Sequence, residues 1–337
     1  MDNTDPNTTK TYGSPHYYDE SSDKMWICPL TPIYLNVTDT SGCDENPINI
    51  SYRIWNQSHT WTDWNTVQTD GEDNSIIVYV KKDEEECTHY IEYYATDAHG
   101  NKEQTHNQTF YVDSTVPTST KTIGQPVYPW LPMDPEYGKW VTTQTLMILT
   151  GTDAQGACGH HMWRIHWEIW LTTAGETKLV DQGVGDWNTS VTINFTEECK
   201  HTLVWWAEDR AGNKEPKHHQ IHFVDTTPPE SWKIIGDPSF DTDLDGINET
   251  VATQTPLTLT ANDGLGESAV YNWRIWYKVN NGTWSDWESG TWNTNVTLYF
   301  ADYFSSEGVY ELEWYAEDNL GNEENHHTQT HEVTLPE

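Results

Sequence analysis

Apolar residues in this chain come in short runs broken by polar ones. Ile33-Tyr34-Leu35-Asn36-Val37, Ser75-Ile76-Ile77-Val78-Tyr79-Val80 and His89-Tyr90-Ile91-Glu92-Tyr93-Tyr94 are rich in β-branched and aromatic side chains and are bounded by turn formers. Thr258-Leu259-Thr260-Ala261 and Val296-Thr297-Leu298-Tyr299-Phe300 alternate, as a strand with one buried and one wet face does. No segment keeps a 3.6-residue apolar period over three turns. Strands are therefore predicted throughout, with no helix of any length.

The strands recur in a repeat. Asp97 to Glu103 reads DAHGNKE, Asp209 to Glu215 reads DRAGNKE and Asp318 to Glu324 reads DNLGNEE, each after an aromatic run ending in alanine (Ala95, Ala207, Ala316). TKTYGSP from Thr9, TKTIGQP from Thr120 and WKIIGDP from Trp232 align without gaps, after proline-containing linkers that begin at Asp2, Asp113 and Asp225. One folded unit is used three times, at the size of a small domain. The boundaries read as 1–114, 115–226 and 227–337. About seven short strands per unit predict an all-β chain of three tandem antiparallel sandwiches of immunoglobulin or fibronectin type. Short, proline-stiffened linkers predict an elongated rod.

The DxxGNxE motif falls between the last two strands of each unit. There Gly100, Gly212 and Gly321 can take the positive φ of a tight hairpin, and Asp97, Asp209 and Asp318 can accept from the turn's amides. The motif reads as a turn in preference to a calcium site. Met1 stands where Val112 and Val224 stand in the other linkers, so the repeats are expected to have been cut from a longer protein.

Charge narrows the partners. Lys+Arg 17 against Asp+Glu 53 gives a net charge of −36, spread over all three repeats, which excludes nucleic acid and anionic membrane faces as partners. No run approaches the ~20 apolar residues of a membrane span. Aromatic residues at 13% argue against disorder.

These residues carry a resemblance. The YYATD and WYAED steps, the GN-E turns and the VDTTPP junction at Val224 to Pro229 resemble the Ig-like repeats of bacterial and archaeal cell-surface proteins. That resemblance implies an extracellular, largely non-catalytic stack of sandwiches, with no catalytic residues to carry over; fold alone does not fix function.

Cys43 aligns with Cys158 and Cys87 with Cys199, while the third repeat has Ser268 and Gly308 nearby. Joint presence and joint loss favour bridges within each domain, Cys43–Cys87 and Cys158–Cys199, in an oxidising compartment. A second pairing stays open: if the paired positions lie at opposite ends of a sandwich, Cys87 meets Cys158 of the next domain. Cys28 is left over, as a buried thiol or an intermolecular bridge.

Sequons begin at Asn7, Asn36, Asn49, Asn56, Asn107, Asn188, Asn194, Asn248, Asn281 and Asn295, candidate glycosylation sites with Asn36 and Asn194 placed in strands. Trp55, Trp170 and Trp276 read as one equivalent core position on the third main strand. Trp61, Trp64, Trp284 and Trp287 form WxxW pairs beside carboxylates that could stack on sugars, although filling a thin core is the expected role. Asp241, Asp243, Asp245 and Asn248 start like a calcium loop, but Ala252 stands where an EF-hand needs its Glu, so no cofactor is assigned and calcium stays a candidate. The histidines His218, His219 and His222, and His326, His327 and His331, read as surface residues.

No phosphate loop, nucleophile elbow or HExxH is present, and the chain is read as no enzyme. The expected function is that of a structural repeat of a microbial cell surface, working as spacer, in S-layer or filament assembly, or in adhesion, with protein neighbours as partners. The alternatives are a carbohydrate-binding array using the exposed Trp pairs and an ancillary part of a secreted hydrolase.

Overall fold

The structure, a computed structural model, describes residues 3–39, 47–55, 60–69, 74–80, 87–129, 137–153, 162–241, 249–264 and 272–335. The first unit contains β1 (Asn7–Tyr12), β2 (His16–Asp19), β3 (Lys24–Ile27), β4 (Ile33–Thr38), β5 (Asn49–Trp55), β6 (Asn65–Gln68), β7 (Ser75–Val78), β8 (Cys87–Thr96) and β9 (His106–Val112). The second has β10 (Thr118–Ile123), β11 (Val127–Pro129), β12 (Tyr137–Val141), β13 (Met147–Thr152), β14 (Trp163–Thr173), β15 (Glu176–Val184), β16 (Val191–Ile193), β17 (Cys199–Asp209) and β18 (His218–Val224). The third has β19 (Glu230–Ile235), β20 (Ser239–Phe240), β21 (Thr250–Ala252), β22 (Leu257–Asn262), β23 (Trp273–Asn280), β24 (Glu288–Ser289), β25 (Val296–Leu298), β26 (Gly308–Asp318) and β27 (His327–Thr334).

Each unit repeats one topology, a three-stranded sheet facing a six-stranded one. In the first unit the orders are β1-β4-β7 and β2-β3-β9-β8-β5-β6, and the other two match strand for strand. These are immunoglobulin-like sandwiches, built as the alternation in β4 (BiBiBe) and β8 requires, with one face buried and one wet.

The sheets differ from the expected ones in two ways. Nine strands form per unit where about seven were read, because the segments after Pro15, Pro126 and Pro238 form an extra edge hairpin too short to signal itself. The second strand of that hairpin runs parallel to the last strand of the unit, as β3 does with β9, so the sheets are not wholly antiparallel.

The tryptophan register also differs. Ile50, Ile165 and Ile275 lie opposite Ala95, Ala207 and Ala316, which fixes the alignment of the three units. On that register Trp55 matches Trp170, but Trp276 matches His166 and Ser51. None of the three tryptophans is core. The buried hydrophobic positions of these strands are aliphatic (Ile50, Ile165, Ile169, Leu171, Ile275, Val279), while the neighbouring strand adds Tyr93, Trp205 and Trp314 to cores that also hold Phe110, Phe195 and Phe300.

The accessible surface measures how far the units are separated. It is 18092 Å², against about 14,000 Å² for one compact body of this mass and about 19,000 Å² for three free units. The total lies nearer the second figure, so most of each unit's surface stays outside the junctions.

Candidate functional site at the domain junctions

The repeated motif builds two separate devices. Its glutamate locks one sandwich together. Glu103 Oε2 accepts from the Thr8 amide at 2.8 Å, while Oε1 accepts from the Thr8 hydroxyl and from the Ala95 amide at 2.6 Å. His106 Nε2 lies 3.1 Å from Oε2. Glu215 makes the same contacts with Ser119, Ala207 and His218, and Glu324 makes them with Ser231, Ala316 and His327. One carboxylate, buried in the first two units and half-buried in the third, thus ties the first strand of each unit, in the small sheet, to its eighth, in the large sheet.

The aspartate, glycine and asparagine face the preceding unit. Asp97 Oδ1 accepts from the His99 and Asn101 amides at 2.9 and 2.8 Å, and Oδ2 from Asn101 Nδ2 at 2.7 Å. Asp209 and Asp318 repeat this, each taking two turn amides and the amide of Asn213 or Asn322. Gly100, Gly212 and Gly321 have φ of 90°, 99° and 83°, as the hairpin reading requires. In the later units the asparagine also donates backward across the junction: Asn213 Nδ2 to the Asp113 carbonyl at 2.8 Å, Asn322 Nδ2 to that of Asp225 at 3.2 Å.

The variable pair inside the motif recognises the previous unit. Arg210 donates to the Tyr17 hydroxyl and lies 4.5 Å over its ring, and Gly212 sits so close that a Cβ there would strike Pro15. At the second junction Leu320 is buried against Trp140, with Tyr128 and Phe223 beside them. The matching residues of the first unit, Ala98 and His99, are exposed.

Each junction gathers three aspartates. Asp113, Asp153 and Asp209 at the first, and Asp225, Asp263 and Asp318 at the second, place carboxylate oxygens within 4.8 Å of one another. All but Asp153 are buried. Burial, with Asp113 nearby, pushes Asp209 up to about 7, and burial raises Asp318. Asp97 goes the other way: burial pushes it up, but the hydrogen bonds from Asn101, His99 and Gly100 outweigh this and lower it. Its linker counterpart, Asp2, lies outside the described residues. Three close carboxylates need a proton or a cation among them, and an oxygen-only donor set of this kind suits a hard divalent ion such as calcium.

The sequence reading placed a calcium loop elsewhere. Of that loop Asp241 is half-buried, while Asp243, Asp245 and Asn248 lie outside the described residues. The junction clusters were missed because their members come from three separate segments. A signal existed: Asp39, Asp153 and Asp263 recur just after the fourth strand of each unit, in step with the motif aspartates.

The other candidate residues scatter. Of the sequon asparagines, Asn7, Asn107, Asn188, Asn194, Asn281 and Asn295 are exposed, Asn36 and Asn49 half-buried, and Asn56 and Asn248 outside the described residues. His222 and His331, expected on the surface, are fully buried beside Lys121 and Lys233. Burial lowers these lysines to about 7.

The tryptophan pairs already hold cations. The Arg53 guanidinium lies 4.5 and 4.7 Å from the Trp61 and Trp64 rings and is paired to Glu92, while Lys278 lies 4.6 and 4.4 Å from Trp284 and Trp287 and is paired to Glu313. A cation from within the chain therefore lies over one face of each ring, while Trp64 and Trp284 stay 39% and 38% exposed.

Cysteine chemistry divides too. Cys87 is disulfide-bonded, Cys28 is a buried free thiol, Cys199 is free, and Cys43 and Cys158 lie outside the described residues. The expected Cys158–Cys199 bridge is not made. Trp163 pairs with Asp209, so Cys199 lies at the other end of β17, roughly 33 Å away at ~3.3 Å per residue. Residues 158 to 163 can span at most about 18 Å.

No family model matches the chain, and no curated protein matches its sequence. Among solved structures it is similar to a tetra-tandem repeat in the extending region of a large adhesion protein, at 15% identity, 99% of this chain, 76% of that one and a TM-score of 0.30. It is also similar to the fibronectin(III)-like modules of Clostridium thermocellum CbhA, at 12% identity, 64% of this chain, 94% of that one and a TM-score of 0.34. The FN1–FN3 domains of chicken CNTN1 match at 9% identity, 89% and 94% coverage and a TM-score of 0.29. Scores this low carry no weight, and the fold stands on the sheets described above.

Proposed function

We propose that the chain is a non-catalytic extracellular spacer of a microbial surface, in which sandwich units are joined at set angles so that the two ends are held apart. The observation that supports this reading is that both junctions repeat one plan. A motif asparagine donates to the preceding linker carbonyl, a variable residue grips the previous unit's edge hairpin, and three aspartates converge. Contacts this small would otherwise leave domains free to move. Adhesion or assembly with protein neighbours is the setting in which such a spacer works.

Small-angle X-ray scattering tests the reading. An extended particle about three strand lengths long, roughly 110 Å at ~3.3 Å per residue, is expected. A compact particle would overturn it.

A further inference from the structure

We infer that Cys87 of the first unit is bridged to Cys158 of the second, so that a disulfide crosses the first junction. The chain has five cysteines, of which Cys87 is oxidised and Cys28 and Cys199 are free, leaving Cys43 or Cys158 as its partner.

Strand geometry removes Cys43. Asn49 pairs with Thr96, and Ile48 carries the register one residue further through its amide and carbonyl bonds to Thr69. Ile48 is thus ten residues along β8 from Cys87, roughly 33 Å. The five residues from 43 to 48 span at most about 18 Å. At least about 15 Å stays uncovered, against a bridging limit of about 7 Å between Cα atoms.

Cys158 is within reach. Cys87 pairs with Val112, the neighbour of Asp113, whose carboxylate lies within 4.8 Å of that of Asp153. Five residues of chain separate Asp153 from Cys158.

The second junction acts as an internal control. Cys199 pairs with Val224 beside Asp225, as Cys87 does with Val112, and both cysteines hold the same strained backbone, φ 94° and 103°. Asp263 takes the place of Asp153, but the residue five further on is Ser268. Cys199 has no thiol to meet there, and it is free.

Formation of the bridge joins Sγ to Sγ. Two thiol protons and two electrons pass to a disulfide oxidant, which leaves as two thiols. The inference stands independently of the spacer reading.

The test is a non-reducing tryptic digest of the full chain, folded in a glutathione redox buffer and blocked with N-ethylmaleimide. Cys43, Cys87 and Cys158 fall on separate peptides, 25–53, 83–102 and 140–164. A linked pair of 83–102 with 140–164 is expected; 83–102 linked to 25–53, or a fully alkylated Cys87, would overturn the inference. Ser268→Cys should link to Cys199 and lower the alkylated thiols by one disulfide's worth. If Cys199 stays alkylated in that variant, the cross-junction register is wrong.

Discussion

At the residue scale one side chain takes two electrostatic states in one molecule. Asp97, Asp209 and Asp318 accept closely similar hydrogen bonds, yet Asp97 is shifted down and the other two up. What differs is burial at a junction and, for Asp209, the carboxylate of Asp113. The sign fixes a prediction. Between about 4 and about 7 the folded chain keeps a proton on Asp209 that the unfolded chain has released, so stability falls as pH rises through that window. Urea midpoints recorded in chelator should show the fall, and Asp209→Asn should flatten it. Millimolar calcium should also flatten it, by replacing the proton; midpoints indifferent to calcium would refute a cation role. The motif glutamate carries a larger effect. Glu324→Ala strands the Ser231 and Ala316 amides in a buried place and should cost about 3 kcal/mol of third-unit stability, measured by denaturant unfolding. The hairpin role of Gly100, Gly212 and Gly321 was legible because turn chemistry is local. The glutamate's role was not, since its partner Thr8, Ser119 or Ser231 lies more than ninety residues away.

At the scale of elements, alternation made the main strands legible, while register was not. Trp55, Trp170 and Trp276 share a local pattern, and only the pairing of Ile275 with Ala316 shows that Trp276 sits elsewhere. Short edge strands such as β2 and β20 left no periodic signal. The WxxW pairs look like free binding platforms until the neighbouring strands are placed, when Arg53 and Lys278 are found against one face of each ring. Trp284→Ala should therefore cost about 1 kcal/mol through the lost cation contact and leave retention in polysaccharide gels unchanged. Retardation by a glycan that this variant abolishes would contradict the clamp. The half-buried lysine of β19, Lys233, makes a second prediction. Above about 7 folded Lys233 is neutral, while the unfolded side chain stays protonated to about 10.5, so stability rises with pH across that range. Lys233→Met should remove its share of the rise in a urea series.

At the scale of the whole molecule the repeat count and unit size could be read from the sequence, but the junctions could not. They combine a linker, the end of one strand and a hairpin from the next unit, and no window of sequence contains all three. The variable residues of the motif, Arg210 and Leu320, looked like noise in a repeat. They are the groups that touch the preceding unit. These contacts are proposed to fix neighbouring units at set angles. Residual dipolar couplings of the weakly aligned chain test it most directly. Amides of all three units should fit one alignment tensor, with Asn213→Ala and Asn322→Ala each splitting it at its own junction; separate tensors for the three units of the unaltered chain would show that the junctions do not hold the units at set angles.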